Sequence, residues 1–273
     1  MSANNRNAFV TFDLWETLIF DEPEKDETRG RMRYEGLQVA LEDYGIKLAM
    51  DDMKRGYEQS GPKLQDIWDR NEEVPIIDQI NLIIELAARR SITMSPAWVQ
   101  GLSKAYVDPI FEIPPKLNPD APKVLEELRS RRYKIGLISN TGRSPGAAIR
   151  RLLQTYGVMK FFDAAVFSNE LKRRKPDRMV FDYAAHMLGT ETTSVVHIGD
   201  NPEADYWGAR KAGMRAILFE PDWLDISRWG PDSLFILSRR RGLKNVSDIE
   251  PEWRIKSLAE SVDLLDSLSA GEP

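Results

Sequence analysis

The sequence predicts an α/β protein whose core is a parallel sheet in three layers, with a separate all-helical unit inserted after the first strand. Two observations support this fold. Short apolar runs alternate with helical patterns over the second half of the chain, and roughly ninety residues near the amino terminus show helical spacing alone. Strands that alternate with helices imply right-handed crossovers, and therefore a Rossmann-like core with helices on both faces.

The first strand is predicted at residues 9–12, an apolar run that favours β structure. The pattern then changes, because apolar residues recur at the three- and four-residue spacing of an amphipathic helix. Turn-forming residues separate these stretches, and no strand pattern appears among them. The predicted helices of this unit cover residues 27–44, 50–69, 76–90 and 96–110.

The chain then alternates between the two kinds of pattern. The predicted helices cover residues 120–132, 145–157, 177–189 and 203–213. The predicted strands between and after them cover residues 134–139, 164–167, 194–199 and 215–219. This alternation is typical of a parallel sheet built from strand–helix–strand units.

The tail is less regular than the rest of the chain. Residues 221–250 contain tryptophans and turn residues without a clear period. A strand is predicted within 253–258 and a short helix over 259–268. The predicted domain division is a core of residues 1–20 and 116–273, with a helical domain of residues 21–115.

Composition narrows the class of protein. The net charge of −5 argues against a general nucleic-acid binder, and we interpret Arg239, Arg240 and Arg241 as a solvated surface loop. Without cysteine, disulfides and thiolate zinc sites are excluded, and the two histidines lie too far apart in sequence for a helical zinc pair. No apolar run reaches the length of a membrane helix, so we expect a cytoplasmic protein that does not bind membranes. We expect it to be a monomer or a homodimer.

Polar side chains of the types used in catalysis and metal binding lie at or just past the ends of the predicted strands. Asp13 follows the first strand, Ser139 ends the second, and Asp200 and Asp205 follow the strand at 194–199. Lys175 lies in a Lys-Pro-Asp turn between them. Because the carboxyl ends of parallel strands meet at one edge of a sheet, these side chains are expected to converge on one crevice.

This set of residues is suited to phosphoryl transfer. An ionised Asp13 can attack an electrophile and form a covalent acyl phosphate. Asp13 and Asp200 offer the hard oxygen ligands that Mg²⁺ prefers. Lys175 adds a fixed positive charge, and Ser139 can donate a hydrogen bond to the transferring group.

Together these motifs resemble the haloacid dehalogenase (HAD) superfamily, and the resemblance extends over almost the whole chain. It implies a Mg²⁺-dependent hydrolase with Asp13 as nucleophile, Ser139 as phosphate-binding hydroxyl and Lys175 as charge-stabilising lysine. It also implies that the helical unit is a cap that closes over the crevice and selects a small phosphorylated substrate. The implied metal ligands are Asp13, the backbone carbonyl of Trp15, Asp200 and Asp205, the last directly or in support.

Four residues near these motifs are predicted to contact substrate: Trp15, Asn140, Thr141 and Arg143. Aromatic residues of the helical unit are further candidates for the wall of the crevice, namely Tyr34, Tyr57, Trp68 and Tyr106. His197 lies within an apolar strand and is interpreted as a packed core residue.

One departure from the family pattern concerns the proton donor. Phosphatases of this family carry a second aspartate two residues after the nucleophile, and Trp15 occupies that position here. Losing a general acid typically costs about 10²–10⁴-fold in rate. The leading hypothesis is a phosphatase on a small phosphorylated or diphosphorylated metabolite, either with a leaving group that needs little protonation or with a substitute acid such as the adjacent Glu16.

Two other classes of function remain open from the sequence. A 2-haloacid dehalogenase-like hydrolase would release halide without a proton donor or a metal, although it has no need of the acidic pair Asp200 and Asp205. A phosphonate-cleaving variant, also a hydrolase, would need a cap lysine, and the sequence does not rank the lysines of this unit.

The other class of function is a catalytically impaired binding protein on the same fold. The retained nucleophile and lysine argue against it.

Overall fold

A computed structural model describes residues 8–231, 233–240 and 250–270. Its main sheet contains six strands in the order β5-β4-β1-β6-β7-β8, and every neighbouring pair is parallel. The predicted parallel α/β core is thus confirmed. Its strands are β1 (Phe9–Phe12), β4 (Lys134–Ser139), β5 (Ala164–Phe167), β6 (Val195–Gly199), β7 (Arg215–Phe219) and β8 (Arg254–Ile255).

Strand order places the site. The chain leaves β1 for β4 on one side and later returns to β6 on the other, so β1 lies where the winding reverses. Register aligns these strands closely, with Phe12 opposite Leu137 and Ile198. In open parallel sheets a crevice forms beyond the carboxyl ends of the strands at such a reversal. Asp13 and Asp200 directly follow β1 and β6 there, and Ser139 is the last residue of β4.

Helices cover both faces of this sheet. One face packs against α6 (Ala121–Ser130), α7 (Gly146–Thr155) and α12 (Glu260–Ala270), and the other against α9 (Arg178–Leu188) and α10 (Gly208–Ala212). Most buried strand residues are apolar on both sides, as a doubly covered parallel sheet requires, and the buried polar ones are Thr11, Ser139 and His197. Within the described ranges, no helix is both long enough and apolar enough to cross a bilayer.

The helical region, residues 23–112, has an apolar core of its own. The buried side chains Leu37, Met53, Ile83 and Leu102 meet there, one from each of its four longest helices. Its helices are α1 (Pro23–Asp43), α2 (Met50–Trp68), α3 (Ile76–Ala88), α4 (Val99–Val107) and α5 (Pro109–Glu112). The predicted helices agree with these within a few residues at most boundaries, because their apolar spacing encodes this core.

The junction between the helical region and the core was not predicted. A two-stranded antiparallel ribbon pairs β2 (Ile19–Phe20) with β3 (Lys116–Leu117) where the chain enters and leaves the helical region. The strands are two residues long, too short to produce a sequence period. The ribbon brings the two ends of the helical region together above the sheet.

Three features of the later chain differ from expectation. The single helix predicted at 203–213 is a π-helical turn, Pro202–Trp207, followed by α10. The segment after Pro221 contains a 3₁₀ turn and α11 (Leu234–Arg240), neither of which has an apolar period in the sequence. A short α8 (Ser168–Leu171) follows β5, where no helix was predicted.

Candidate functional site

Asp13 lies directly beyond β1 and lines the crevice. Its backbone N–H donates to the Ile198 carbonyl of β6 at 2.8 Å, so the strand pairing continues through this residue and fixes its position. The residue is 6% exposed. One carboxylate oxygen contacts Lys175 Nζ at 2.5 Å, and the other accepts from the Thr17 hydroxyl at 3.3 Å.

Lys175 is held by contacts at both its backbone and its ammonium group. Its backbone N–H donates to Asn140 Oδ1 at 2.8 Å, and Asn140 Nδ2 donates to its carbonyl at 3.0 Å. Its ammonium lies between Asp13 and Asp205, 2.6 Å from Asp205 Oδ1, and donates to the Ile138 carbonyl at 2.8 Å. Asn140 therefore positions the lysine loop against the end of β4, in addition to lining the crevice.

Asp205 is fully enclosed by partners. One oxygen contacts Lys175 and His197 Nε2, the latter at 3.2 Å, and the other accepts from the Asn201 backbone N–H at 3.0 Å. Gly199 permits this packing, since a Cβ there would lie 2.4 Å from the Asp205 carboxyl carbon. His197 is buried, as predicted, and also contacts the Thr11 hydroxyl at 2.9 Å.

Electrostatics keep this cluster charged despite its burial. Burial raises the pKa of Asp13 to about 6, while the Lys175 ammonium opposes that rise. Burial lowers the pKa of Lys175, but Asp13 and Asp205 outweigh it, so the lysine pKa lies above its ordinary value. Burial would raise the pKa of Asp205, yet Lys175 and His197 outweigh it, so that pKa lies below its ordinary value.

His197 is best described as a neutral ring. Burial lowers its pKa, against the opposing effect of Asp205. An ionised Asp205 can only accept hydrogen bonds, so His197 Nε2 carries the proton and Nδ1 accepts from Thr11. This histidine orients Asp205 from within the sheet.

Asp200 meets an arginine that sequence reasoning placed elsewhere. Its carboxylate forms an ion pair with the Arg239 guanidinium, which reaches the crevice from α11. Arg239 is 18% exposed in its side chain and also lies over the Phe235 ring. The interpretation of Arg239 as part of a solvated loop is therefore wrong. The Arg240 side chain and Arg241 lie outside the described residues.

The serine and threonine after β4 occupy different environments. The Ser139 hydroxyl is buried and has no hydrogen-bond partner in the described part of the chain. Thr141 does not line the crevice, and its backbone N–H and hydroxyl contact Ser168 Oγ at 2.8 and 3.0 Å. The structure gives the predicted substrate contact of Thr141 no support, because this residue fastens the loop to β5 and α8.

Trp15 and Glu16 both line the crevice beside Asp13. Glu16 is buried in a left-handed backbone conformation, with φ of 59°, which normally favours glycine. One carboxyl oxygen accepts from the Asp21 backbone N–H at 3.3 Å, and the other is buried without a hydrogen-bond partner among the described residues. Burial raises the pKa of Glu16 to about 8, opposed by Arg239 and reinforced by Asp13.

The helical region forms another wall of the crevice, and Arg143, from the loop after β4, contacts it. Arg143 is 7% exposed, so it is a buried residue rather than a solvated loop side chain. It donates to the Tyr106 hydroxyl at 2.7 Å and to Ser60 Oγ at 3.0 Å, and stacks over the Tyr57 ring at 4.1 Å. Tyr34, Tyr57 and Trp68 line the cavity as expected, whereas Tyr106 is buried behind it.

A buried ion pair also joins the two walls. Glu73, before α3, pairs with Arg174 at 2.7 Å and accepts from Ser168 Oγ at 2.5 Å. Arg174 lies over the Trp68 ring at 4.6 Å. The pairing of these two residues was not predicted from the sequence, because their proximity depends on how the helical region docks.

Comparisons with known proteins agree with this geometry. A haloacid dehalogenase-like hydrolase family model matches residues 9–213. Pyrimidine 5'-nucleotidase YjjG of Escherichia coli (strain K12) is 28% identical over 254 residues, covering 92% of this chain and 98% of that protein.

Two solved structures share the fold. A HAD phosphatase from Thermococcus onnurineus has a TM-score of 0.58 at 21% identity, covering 95% of this chain and 98% of that one. A 2-haloacid dehalogenase from Pseudomonas syringae pv. Tomato has a TM-score of 0.63 at 19% identity, covering 97% of this chain and 100% of that one. With the family match over most of the chain, the protein belongs to the haloacid dehalogenase-like hydrolases.

Proposed function

We propose that this hydrolase is a Mg²⁺-dependent phosphatase that forms a covalent intermediate on Asp13. The observation that carries the proposal is the position of the Asp13 carboxylate, held by Lys175 in a buried crevice with two further carboxylates close by. A fixed carboxylate next to a fixed ammonium suits attack on an anionic phosphoryl group, because the cation offsets the repulsion between like charges.

In the proposed reaction an Asp13 oxygen forms a bond to phosphorus while the bond from phosphorus to the leaving oxygen breaks. Lys175 keeps Asp13 in place and offsets its charge, and the free Ser139 hydroxyl is a donor for a phosphoryl oxygen. Water then hydrolyses the acyl phosphate and regenerates the carboxylate.

The donor set near Asp13 fits a magnesium ion. Carboxylate oxygens of Asp13, Asp200 and Asp205 lie within 4.8 Å of one another and all three residues are buried. Hard oxygen ligands of this kind suit Mg²⁺, and Asp13, Asp200 and the Trp15 carbonyl would hold it, with Asp205 in support. When bound, the ion would supply positive charge that stabilises the transferring phosphoryl group.

Glu16 is the proposed replacement for the proton donor absent at Trp15. Its carboxyl lines the same crevice as Asp13, and its second oxygen is buried without a hydrogen-bond partner among the described residues. A proton donated to the leaving oxygen would lower the barrier for an alkyl ester far more than for an acidic leaving group.

The proposed substrate is a small phosphorylated or diphosphorylated metabolite. The names of the E. coli nucleotidase and the Thermococcus phosphatase support a phosphate group as the reacting part. The cavity between the two walls, with a volume of about 1520 Å³, accommodates a metabolite of this size.

A substrate panel tests the proposal. Phosphate monoesters, diphosphates, acyl phosphates and 2-haloacids are incubated with and without Mg²⁺, using wild-type protein and Asp13→Asn. We expect phosphate release that requires both Mg²⁺ and Asp13. Halide release without metal would instead identify a dehalogenase, and no turnover of any compound by folded protein would indicate a binding protein.

A further inference from the structure

Two buried arginines face the crevice from the wall opposite Asp13. Arg33 of α1 is 3% exposed and Arg143, from the loop after β4, is 7% exposed, and both line the cavity. Both contact Tyr57: Arg33 Nη1 donates to its hydroxyl at 3.4 Å, and Arg143 stacks on its ring. The helical region and the core loop thus bring two guanidinium groups to one place.

The partners of these two guanidiniums are neutral. Besides Tyr57, Arg33 donates to the Tyr106 carbonyl at 3.2 Å and Ser144 Oγ at 3.3 Å, while Arg143 donates to Tyr106 and Ser60 hydroxyls. In residues 8–231, 233–240 and 250–270, no carboxylate oxygen lies within 4.0 Å of either group. A guanidinium has five N–H donors, so hydrogen bonds remain available on both.

Two acids in this part of the molecule, Asp21 and Asp26, pair with a third arginine, Arg29. Asp26 is close enough to Arg33 and Arg143 for both to affect its pKa, but it forms an ion pair with Arg29 at 3.3 Å. Arg29 also pairs with Asp21. Two buried cations without a directly paired carboxylate are unfavourable, and an anionic ligand would supply that partner.

The cavity has room for a ligand that reaches both walls. Its volume of about 1520 Å³ exceeds the roughly 300–1,000 Å³ of common small-molecule sites. Asp13 and Lys175 line it on the core side, and Arg33 and Arg143 line it under the helices. A molecule with an anionic group at each end could occupy both places.

We propose that Arg33 and Arg143 bind a second anionic group of the substrate, a carboxylate or a second phosphate remote from the phosphoryl group that Asp13 attacks. This inference rests on the proposed phosphatase function for the first group. Guanidinium groups recognise carboxylate and phosphate oxygens through paired hydrogen bonds, which accounts for two arginines rather than lysines at this wall.

The test compares matched esters with and without a remote anionic group. One pair is phosphoglycolate and its neutral amide, and the other is propane-1,3-diol bisphosphate and the corresponding monophosphate. The pairs separate a carboxylate from a phosphate as the remote group. Each ester is assayed for kcat/KM with wild-type protein, Arg33→Met and Arg143→Met, and for binding by calorimetry on an Asp13→Asn background.

We expect wild-type protein to prefer the charged member of at least one pair. In each arginine variant, kcat/KM for the charged ester should fall about 10- to 100-fold more than kcat/KM for its neutral partner, as expected for loss of a charge-assisted hydrogen bond. Arg174→Met is the matched control, because this buried arginine lines the same cavity but is paired with Glu73. This substitution should lower kcat/KM for both esters of a pair to the same extent.

Equal affinity of wild-type protein for both members of each pair, or a charge preference that survives both substitutions, would overturn the inference. If the arginines only joined the two walls, their substitution would lower kcat/KM for charged and neutral esters alike, and the inference would be wrong. If no ester is hydrolysed but the charge preference in binding disappears in the variants, the remote anion site stands and the phosphatase proposal fails.

Discussion

The two walls of the crevice are built in different ways. The core wall places the Lys175 ammonium in contact with both Asp13 and Asp205, so that each buried charge has an opposite charge beside it. The helical wall, together with the loop after β4, places Arg33 and Arg143 among tyrosine and serine hydroxyls, without a carboxylate partner in the part of the chain described.

This difference separates a cluster whose acids share an internal cation from a pair of arginines without a directly paired anion. The core cluster is suited to chemistry that is the same for every substrate, because its geometry is fixed by strand ends and backbone hydrogen bonds. The helical wall is suited to discrimination, because its uncompensated charge favours some ligands over others. Substitutions on the two walls should therefore have different signatures.

The largest expected effect comes from Asp13→Asn. Removal of the nucleophile should lower phosphate release by at least about 10⁴-fold. The fold should persist, since the amide is isosteric and the backbone bond to Ile198 remains. Phosphate release and thermal unfolding measure the two properties, and a variant with substantial Mg²⁺-dependent turnover would contradict the assignment of Asp13.

Lys175→Met should damage both activity and stability. It leaves Asp13 and Asp205 buried side by side without their shared cation, and breaking a buried charged cluster typically costs about 3–5 kcal/mol. Loss of a positive charge at the reacting group should also lower kcat by about 10²–10³-fold. Urea unfolding and steady-state kinetics provide the measurements.

Arg174→Met is the matched comparison for Lys175→Met. It also breaks a buried ion pair, with Glu73, but at the junction of the walls rather than at Asp13. We expect a comparable loss of unfolding free energy with a much smaller fall in kcat. Equal losses of kcat in the two variants would show that Lys175 contributes only to the fold.

Glu16 should separate stability from activity. Glu16→Gln should lower turnover of an alkyl phosphate by about 10²-fold and affect p-nitrophenyl phosphate far less, since nitrophenolate leaves without a proton. Glu16→Gly should show the same kinetic pattern with stability kept or raised by up to about 1 kcal/mol, because glycine relieves the left-handed backbone at φ 59°.

The comparison for Glu16 depends on the ratio between the two esters. An equal fall for both would exclude proton donation by this carboxyl. Urea denaturation of Glu16→Gly and Glu16→Gln measures separately how the backbone conformation at residue 16 contributes to the free energy of unfolding.

The smallest expected effect concerns metal affinity. Arg239 pairs with Asp200, one of the proposed ligands, so Arg239→Ala should strengthen Mg²⁺ binding by about tenfold, or roughly 1.4 kcal/mol. Calorimetric titration measures this directly and does not require turnover. Arg228→Ala is the control, since this nearby arginine pairs with exposed Glu24 instead. Weaker Mg²⁺ binding in Arg239→Ala would contradict competition between the arginine and the ion.

Sequence patterns predicted the core wall better than the helical wall. The strands ending before Asp13 and Asp200 are strongly apolar, and parallel pairing brings their ends together without any detailed knowledge of packing. Nothing local connects Arg33 to Arg143, which are 110 residues apart in sequence and meet only when α1 docks over the loop after β4.

The sequence by itself determined the alternating α/β core, the helical insertion and the order of the polar strand ends, because these follow from short-range periodicity and from the rules of parallel sheets. The tertiary structure alone decided that Arg239 reaches Asp200, that Glu73 meets Arg174, and that Arg33 joins Arg143 beside Tyr57. Such contacts depend on the docking of distant elements, which leaves no periodic signal in the chain. Their effect on function arises from burial, which makes each pairing of charge, or its absence, energetically significant.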